Sequence, residues 1–277
     1  MAELDAAAAF DRISSVYDAT RSPIDPETMD AIARHFTGRG ISKILEVGVG
    51  TGRIALPLLE RRFSVVGVDA SAGMLARARA KGVPALVRGT AYRLPFRDGA
   101  VDATLFVHVL HVLDEPEAAL REACRVGRSG ATALVRPPLE SGTDRVERND
   151  FAPDRLVAEI LAREGHPLPR RRGGPRVREG RLLRSLPPDE LEIVSDRTVT
   201  EPLAERLAFI GARASRHFLD VPPELLARAV AEARERIGER TVTYRHVEAL
   251  ATWNRPPATR ASTAEPLGPT SAGGPGG

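Results

Sequence analysis

Hydrophobic and polar positions follow two spacings along this chain, and the change from one spacing to the other marks its elements. Short apolar runs of the kind that form strands buried on both faces recur at 44–47, 63–69, 83–87, 101–107 and 131–136. Segments with apolar residues at helical spacing, such as 72–81 and 116–125, lie between runs. Because each parallel crossover needs a covering helix, this alternation predicts a doubly wound, mostly parallel α/β sheet.

The alternation is flanked on both sides by other patterns. Helical spacing precedes it at 4–19 and 26–35, and the second of these segments ends at the breaker Gly38-Arg39-Gly40. After Pro137-Pro138 the rhythm stops, a helix is predicted at 154–163, and residues 164–180 are crowded with Gly, Pro and Arg. The arginines of that stretch predict a mobile basic loop, and they are Arg170, Arg171, Arg172, Arg176 and Arg178. Further along, we predict a strand at 191–199, helices at 202–214 and 223–237, a strand starting at 241 and a disordered tail from 256.

The composition excludes several classes of protein but does not indicate a particular reaction. The chain has 277 residues, of which 42% are hydrophobic, and a net charge of +3 that is too small to indicate nucleic-acid binding. The single cysteine, Cys124, excludes an internal disulfide and lies in a helical pattern where a small buried thiol is expected. No stretch approaches the ~18 apolar residues of a membrane span, and the N-terminus lacks the features of a signal peptide. We therefore expect a soluble, cytoplasmic protein.

The stretch 44–59, ILEVGVGTGRIALPLL, carries the clearest chemical signal. An apolar strand pattern leads into glycines at alternate positions, Gly48, Gly50 and Gly52, and a helical segment follows with Thr51 as a candidate N-cap. Glycine has no Cβ to hold a ligand away and accepts positive φ at low steric cost, and a helix N-terminus adds backbone donors. The stretch predicts a site for a small, nucleotide-like ligand.

Three residues around this turn restrict the ligand. Asp69, at the end of the second predicted strand, is placed to accept hydrogen bonds from both hydroxyls of a ribose, or else to cap the next helix. Arg53 occupies the position where a dinucleotide site has its third glycine. Glu46 would oppose a pyrophosphate but could pair with an ammonium group. A ligand with adenosine, no phosphate and an amino-acid end fits these features, and that ligand is S-adenosylmethionine.

These motifs resemble the class I S-adenosylmethionine-dependent methyltransferases. The resemblance lies in LEVGVGTGRIALPL, in VVGVDAS with Met74 following, and in RGTAYRLPFRDGAVDATLFVHVLHVLDEPEAALREACRV. The opening FDRISSVYDATR is similar to the N-terminal segment of the methyltransferase-11-like, or ubiquinone/menaquinone-biosynthesis-type, branch. The similarity covers residues 10–136, and it implies a seven-stranded Rossmann-like sheet with an N-terminal helical lid and an inserted helical cap.

The resemblance also implies which residues hold the cofactor. Those expected around the methionine end and the ribose are Glu46, Gly48, Gly50, Gly52 and Asp69. Those expected around the adenine are Ala70, Ser71, Met74, Gly89, Thr90 and Ala91. Those expected beside the sulfonium or closing over the cofactor are Val107, His108, Tyr17 and Arg21. One departure is Thr90, where the family usually has an acid, so we expect either a weaker adenine contact there or one supplied by a neighbouring residue.

The catalytic group is less determined by the sequence. His108 and His111 both follow the fourth predicted strand, and His108 either shapes the site or acts as a base. For His111 a structural role is favoured. Arg213, Ser215 and His217 either face the acceptor or are surface groups, with the surface reading slightly favoured.

The predicted protein is thus a methyltransferase that uses S-adenosylmethionine, yields S-adenosylhomocysteine and acts on a small-molecule acceptor at an O, N or C atom. No nucleic-acid partner and no metal are expected. Its predicted parts are a lid at 1–36, a cofactor-binding core at 37–137, an inserted cap and basic loop at 138–190, the C-terminal part of the sheet with helices at 191–255, and the tail at 256–277. Three alternatives stay open at this point: a nucleic-acid methyltransferase, a nicotinamide-dependent oxidoreductase and a non-catalytic cofactor-binding or regulatory protein.

Overall fold

The computed structural model describes residues 2–21, 24–138, 152–169, 175–212 and 216–254. The predictions for Arg170, Arg171, Arg172, Arg213, Ser215 and the C-terminal tail lie outside these residues.

Seven strands form one sheet in the order β3-β2-β1-β4-β5-β7-β6. The strands are β1 Lys43–Val47, β2 Ser64–Asp69, β3 Leu86–Arg88, β4 Ala103–Val107, β5 Ala131–Val135, β6 Glu190–Pro202 and β7 Thr241–Trp253. Strands β1 to β5 pair in parallel, whereas β7 runs antiparallel between β5 and β6. The predicted mostly parallel, doubly wound α/β sheet is confirmed.

Nine α-helices accompany the sheet in the part of the chain that the structure describes. They are α1 Ala2–Ile13, α2 Pro26–Gly38, α3 Ala55–Glu60, α4 Ala72–Ala80, α5 Pro116–Val126, α6 Ala152–Arg163, α7 Pro175–Ser185, α8 Leu203–Gly211 and α9 Pro223–Ile237. Two helix starts follow directly from sequence. Asp25 accepts from the Glu27 amide ahead of Pro26, and Ser71 accepts from the Met74 amide, so each is an N-cap.

The sheet separates two hydrophobic clusters because successive side chains of a strand point to opposite faces. Leu45 and Phe106 pack on one face with residues of α5, while Ile44 and Leu105 pack on the other with residues of α2, α3 and α4. The central strands β4 and β5 are buried along their whole length. This two-sided burial explains why their sequences read as continuous apolar runs.

A third cluster belongs to helices that lie outside the sheet. Residues of α6, α8 and α9 pack together around Phe218. This cap cluster uses chain from before β6 and from between β6 and β7. A smaller cluster joins Ile13 of α1 to Met74 of α4 and to Leu219.

Three local predictions need correction. The basic segment 164–180, predicted as a loop, contains the start of α7 from Pro175 onward. This helix is held against the sheet by two of its own buried residues. Leu182 packs in the sheet core, and Glu179 accepts from the Arg136 amide at the end of β5. Thr51 does not cap α3, since its hydroxyl donates to Asp18 instead. The third strand is shorter and later than predicted.

Candidate active site

The carboxyl ends of the parallel strands meet along one edge of the sheet, and the strand order reverses direction between β1 and β4. Open α/β sheets bind ligands at such a point. Glu46 and the glycine turn end β1, Asp69 ends β2, and His108 follows β4. We call this row of residues the carboxyl edge. The predicted site residues from these three strands therefore lie along one edge.

The glycine turn has the backbone that its sequence predicts. Gly48, Gly50 and Gly52 have φ values of 76°, 54° and 80°, all in the left-handed region that favours glycine. A Cβ on Gly48 would lie 2.5 Å from Val109 Cγ2, and one on Gly52 would lie 2.7 Å from Val83 Cγ2. A Cβ on Gly50 would meet nothing within 4 Å. The contact at Gly48 brings the turn directly against the residue after His108.

Asp69 lies at the end of β2, beside the glycine turn that follows β1. Its Oδ2 accepts from the Gly50 amide at 2.8 Å and its Oδ1 from the Ser71 amide at 2.9 Å. Burial raises the pKa of its carboxyl above the usual value. The Gly50 and Ser71 amides, with a further backbone contact from Ala70, orient the carboxylate, and its acceptor sites are not all filled.

Glu46 is a buried acid with an incompletely satisfied carboxyl group. It is 1% exposed, and the Ala55 backbone amide hydrogen-bonds to it. Its Oε2 is buried and has no hydrogen-bond partner among the residues that the structure describes. Burial, and then the charge of Asp69, raise its pKa well above the usual value. A buried acceptor without a donor is a place where a ligand ammonium group fits.

The N-terminal segment lies across this half of the edge. Asp11 accepts from the Ser71 hydroxyl at 2.5 Å and from the Gly73 amide at 2.7 Å. Asp18 accepts from the Thr51 hydroxyl at 2.6 Å. Two acids of the segment thus bind one helix N-terminus and the glycine turn.

The predicted lid residues Tyr17 and Arg21 contact each other, and Arg21 also contacts helix α8. The Arg21 guanidinium carbon lies 4.8 Å from the centroid of the Tyr17 ring and 4.6 Å from that of Phe209 on α8. Arg21 therefore connects the N-terminal segment to the cap.

The residues expected around the adenine differ in their positions. The Gly89 amide donates to the Asp69 backbone carbonyl at 3.1 Å, Thr90 bridges to Arg93, and Ala91 is 8% exposed. The Ala70 carbonyl accepts from the Arg88 side chain at 3.2 Å. Met74 is 2% exposed and packs between α1 and Leu219. Its position suits core packing, and its contact with adenine stays a prediction.

At the other end of the edge, His108 forms a cluster with two residues of β7. Its Nε2 lies 3.3 Å from Glu248 Oε1, and His246 Nε2 lies 3.4 Å from the same oxygen. The hydroxyl of Thr28, on α2, lies 3.5 Å from Glu248 Oε2. We call His108, His246 and Glu248 the histidine–carboxylate cluster.

Burial sets the charge states in this cluster. It lowers the pKa of His108 to about 4, with Arg136 adding to the effect and Glu248 opposing it. Burial opposes the charge on Glu248, but hydrogen bonds from His108 and His246 outweigh it and hold the pKa of that carboxyl well below its usual range. A neutral His108 therefore faces an ionised Glu248 at neutral pH.

His111 forms a second pair with a buried acid. Its Nδ1 lies 3.0 Å from Glu179 Oε1 on α7, and the other oxygen of Glu179 accepts from the Arg136 amide at 2.8 Å. The pair ties α7 to the ends of β4 and β5, which agrees with the structural role that the sequence favoured for His111. His217 stacks edge-on against Phe218, at 5.1 Å between ring centroids.

Sequence reasoning missed several residues at the edge. Glu248 and His246 lie about 140 residues from His108 in the chain, and no spacing signal connects them. Asp11 and Asp18 could have been found, because they belong to the N-terminal segment that carries the family resemblance. In the described parts of the chain, no group of three or more His, Cys, Asp or Glu side chains is arranged to hold a metal ion. None of the described helices combines the length and apolar character needed to cross a membrane.

Comparison with known proteins decides the family. Residues 45–135 match the family model described as a methyltransferase domain. The chain is 33% identical over 179 residues to the phosphatidylethanolamine N-methyltransferase of Cereibacter sphaeroides, covering 57% of this chain and 87% of that enzyme. The chain belongs to the class I S-adenosylmethionine-dependent methyltransferases. The family, the enzyme class and S-adenosylmethionine as cofactor, all predicted from sequence, are confirmed.

Two further similarities place this methyltransferase within the family. It is 35% identical over 136 residues to the demethylmenaquinone methyltransferase of Mycobacterium tuberculosis, covering 47% of this chain and 57% of that enzyme. The chain thus spans little more than half the length of that relative. The fold matches the crystal structure of the YcgJ protein of Bacillus subtilis with a TM-score of 0.52 at 16% identity, covering 82% of this chain and 98% of that one. At this identity the likeness shows the fold alone.

Proposed function

We propose that this methyltransferase holds S-adenosylmethionine along the carboxyl edge from Asp69 to His108 and transfers the methyl group to a small-molecule acceptor. The single observation that carries the proposal is the contact of Gly48 with Val109. A Cβ at Gly48 would overlap Val109, so the donor turn and the loop that carries His108 touch. A cofactor seated on the turn therefore has its reactive end beside the histidine–carboxylate cluster.

The donor half of the proposal assigns one ligand group to each of two acids. Asp69 accepts from the ribose hydroxyls with the lone pairs that its backbone bonds leave over. Glu46 orders the amino group of the methionine end, and its buried Oε2 without a partner in the described residues supports this role. Gly48, Gly50 and Gly52 let the ligand approach the backbone.

The adenine end is assigned to the loops that follow β2 and β3. Ala70 and Ser71 lie at the start of α4, and Gly89, Thr90 and Ala91 follow β3, whose end pairs with Asp69. Tyr17 and Arg21 close over the cofactor as part of the N-terminal segment. Val107 and His108 flank the reactive methyl group.

The chemistry at the other end needs little beyond position and exclusion of water. When bound, S-adenosylmethionine supplies an electrophilic methyl group whose carbon–sulfur bond breaks, with both electrons going to sulfur, as the acceptor's lone pair bonds to the carbon. The protein contributes by aligning the two reactants, and effective molarities of well-aligned reactants reach about 10⁵ M or more. A base is needed only for acceptors that must lose a proton.

A small acceptor is favoured over a nucleic acid by two observations. Base-amino methyltransferases usually carry an Asn/Asp-Pro-Pro-aromatic signature after the fourth strand, and this chain has Val107-His108-Val109-Leu110 there. Helix α8 contacts the N-terminal segment through Phe209 and Arg21, and Arg12 donates to the Leu219 carbonyl at 2.8 Å. These contacts hold the N-terminal segment against the chain between β6 and β7, and we take the two together to flank a site for a small acceptor. The relative acting on phosphatidylethanolamine supports the same class.

Calorimetric titration with S-adenosylmethionine, S-adenosylhomocysteine and NAD tests the donor half. Asp69→Ala is expected to weaken S-adenosylhomocysteine binding at least tenfold, about 1.4 kcal/mol or more. Asp98→Ala is the matched control, since Asp98 is an exposed acid with its side chain 82% accessible. Binding of NAD alone would refute the cofactor assignment, and unchanged affinity in Asp69→Ala would remove Asp69 from the ribose role.

Methyl transfer itself is tested with labelled S-adenosylmethionine and two acceptor sources. A small-molecule extract and purified RNA and DNA are incubated separately with the enzyme, and label is followed into each. We expect label in the small-molecule arm. Label in nucleic acid would overturn the acceptor class, and binding without transfer in any arm would favour the non-catalytic alternative.

A further inference from the structure

His108 combines an unfavourable backbone with an unsatisfied side chain. Its φ of 55° lies in the left-handed region, which among the described non-glycine residues only Arg62 shares. Its Nδ1 is buried and has no hydrogen-bond partner among those residues. Neither feature stabilises the fold, and features of this kind cluster at functional sites.

Glu248 decides which ring nitrogen of His108 carries the hydrogen. The ionised Glu248 carboxylate lies 3.3 Å from Nε2 and can only accept hydrogen bonds, so it favours a hydrogen on Nε2 over one on the unpartnered Nδ1. A neutral ring with its hydrogen on Nε2 leaves the Nδ1 lone pair uncovered. That lone pair is the buried atom without a partner.

We propose that His108 Nδ1 is the general base for an acceptor that reacts through an O–H or N–H group, and that Glu248 and His246 position its ring. The inference rests on the proposed function, because it takes the acceptor to lie beside the glycine turn. As the acceptor's lone pair forms its bond to the methyl carbon, its O–H or N–H bond breaks and those electrons stay on the acceptor atom. The proton goes to Nδ1, and the resulting imidazolium faces the Glu248 carboxylate.

His246 has a separate part in this arrangement. Its Nε2 lies 3.4 Å from the same Oε1 that His108 faces, while the Thr28 hydroxyl donates to the other oxygen at 3.5 Å. Contacts at both oxygens favour the orientation in which the Glu248 carboxylate faces His108. A carboxylate, a hydroxyl and a second imidazole thus fix one ring, which is how bases are oriented in nucleophile–base–acid arrangements.

The charges around His108 come from three elements. Glu248 and His246 are on β7, Arg136 follows β5, and Glu179 lies on α7. Arg136 disfavours an imidazolium, whereas the two acids favour it. The balance leaves the His108 ring neutral at neutral pH, so its Nδ1 carries a lone pair.

Nuclear magnetic resonance of the full chain, labelled with ¹⁵N-histidine, tests the protonation state directly. The chain has six histidines, and His108→Gln assigns the His108 signals by subtraction. At pH 7 we expect a neutral ring with hydrogen on Nε2 and none on Nδ1. An imidazolium at pH 7, or a hydrogen on Nδ1, would overturn the proposal.

Glu248→Gln tests the positioning role, with Glu192→Gln as the matched control. Glu192 is an exposed acid that lies 3.2 Å from the buried His35, so the control neutralises the acid of another histidine–glutamate pair. We expect Glu248→Gln to weaken proton binding by His108 at least threefold and the control to leave it unchanged. Should Glu248→Gln fail to fold, His246→Gln is the second variant, with a smaller shift expected. If the variants that fold leave the His108 titration unchanged, the two β7 residues do not position His108 and that part of the proposal is overturned.

A rate profile separates a base from a merely structural histidine. With saturating S-adenosylmethionine and the small-molecule extract, S-adenosylhomocysteine formation in His108→Gln is expected to fall about 10²–10⁴-fold at pH 7. It should then rise about tenfold per pH unit, as the acceptor loses its own proton. A variant profile parallel to the wild type would refute the base assignment. Absence of any turnover by the wild type would count against the proposed function instead, and S-adenosylhomocysteine binding would still report on the donor site.

Discussion

The two ends of the carboxyl edge are built in different ways. The donor end, with Glu46, the glycine turn and Asp69, comes from a continuous stretch of 24 residues and depends on backbone conformation. The histidine–carboxylate cluster joins His108 to residues near the C-terminus and depends on side chains that meet across the sheet. Each end contains one buried polar atom without a partner in the described residues, Glu46 Oε2 or His108 Nδ1. The comparison teaches that a backbone site can be encoded locally, whereas a positioned base needs a partner brought by the fold.

Gly48→Ala should have the largest effect, because it damages both ends at once. The new Cβ would force a left-handed alanine and overlap Val109, so we expect a loss of stability of roughly 3 kcal/mol or more. S-adenosylhomocysteine affinity should fall with it, which calorimetry measures alongside urea unfolding.

Gly50→Ala is the matched control for that substitution. Its φ is also positive, but its Cβ would meet nothing within 4 Å, so only the backbone cost of about 1–2 kcal/mol is expected. Adding Val109→Ala to Gly48→Ala should recover the steric part of the loss. Equal effects at Gly48 and Gly50 would show that the contact between the two ends does not matter.

A smaller effect is expected from acid on the histidine end alone. The pKa of His108 in the folded protein, about 4, lies below its ordinary value of 6.5, so its contribution to stability is present above pH 6.5. As the pH falls toward 4, His108 binds a proton in the unfolded chain but not in the folded chain. Between pH 7 and pH 5 the free energy of unfolding should therefore fall by about 2 kcal/mol more for the wild type than for His108→Gln.

Urea unfolding of both proteins at pH 7, 6 and 5 measures this difference. His166→Gln serves as the control for removal of a histidine outside the cluster. Parallel stability curves for wild type and His108→Gln would mean that His108 titrates normally, and the distinction between the two ends would weaken.

Asp102→Asn should have the smallest effect, confined to stability. Asp102 lies before β4, and one of its oxygens accepts from the Ser42 and Lys43 amides at 3.0 and 2.8 Å, across the β1–β4 junction that joins the two ends. The backbone bonds of Ser42 and Lys43 hold the pKa of this carboxyl well below its usual range. We expect a loss of roughly 1–2 kcal/mol at pH 7 with unchanged S-adenosylhomocysteine affinity.

The pH dependence of that loss identifies its cause. The carboxylate's contribution is full above its ordinary pKa of 3.8 and disappears as pH falls through the lowered folded value, so the variant and wild type should converge in strong acid. A change in cofactor affinity would contradict this prediction, because it would mean that Asp102, at the start of β4, affects ligand binding at the opposite end of the strands.

Much of the donor end was predictable because its requirements are local. The positive φ at Gly48 and the position of Asp69 at a strand end follow from one strand–turn–helix unit, whose residues are neighbours in the chain. Where a local pattern was misread, a distant partner was responsible. The segment containing Arg178 reads as a basic loop, yet it is helical where Glu179 is buried against His111 and the Arg136 amide. Similarly, Thr51 was predicted to cap α3, but its hydroxyl donates to Asp18 of the N-terminal segment instead.

The sequence by itself determined the parallel sheet, the turn of Gly48 to Gly52 and the nature of the methyl donor. Each depends on the period of apolar residues or on the conformational freedom of glycine, and both act within a few residues. Only the tertiary structure decided that His108 would face Glu248 and that His246 would share its oxygen. Strand β7 enters the sheet antiparallel beside β5, and that pairing carries its side chains to the end of β4. Contacts of this kind arise from packing between distant segments, which no spacing along the chain records.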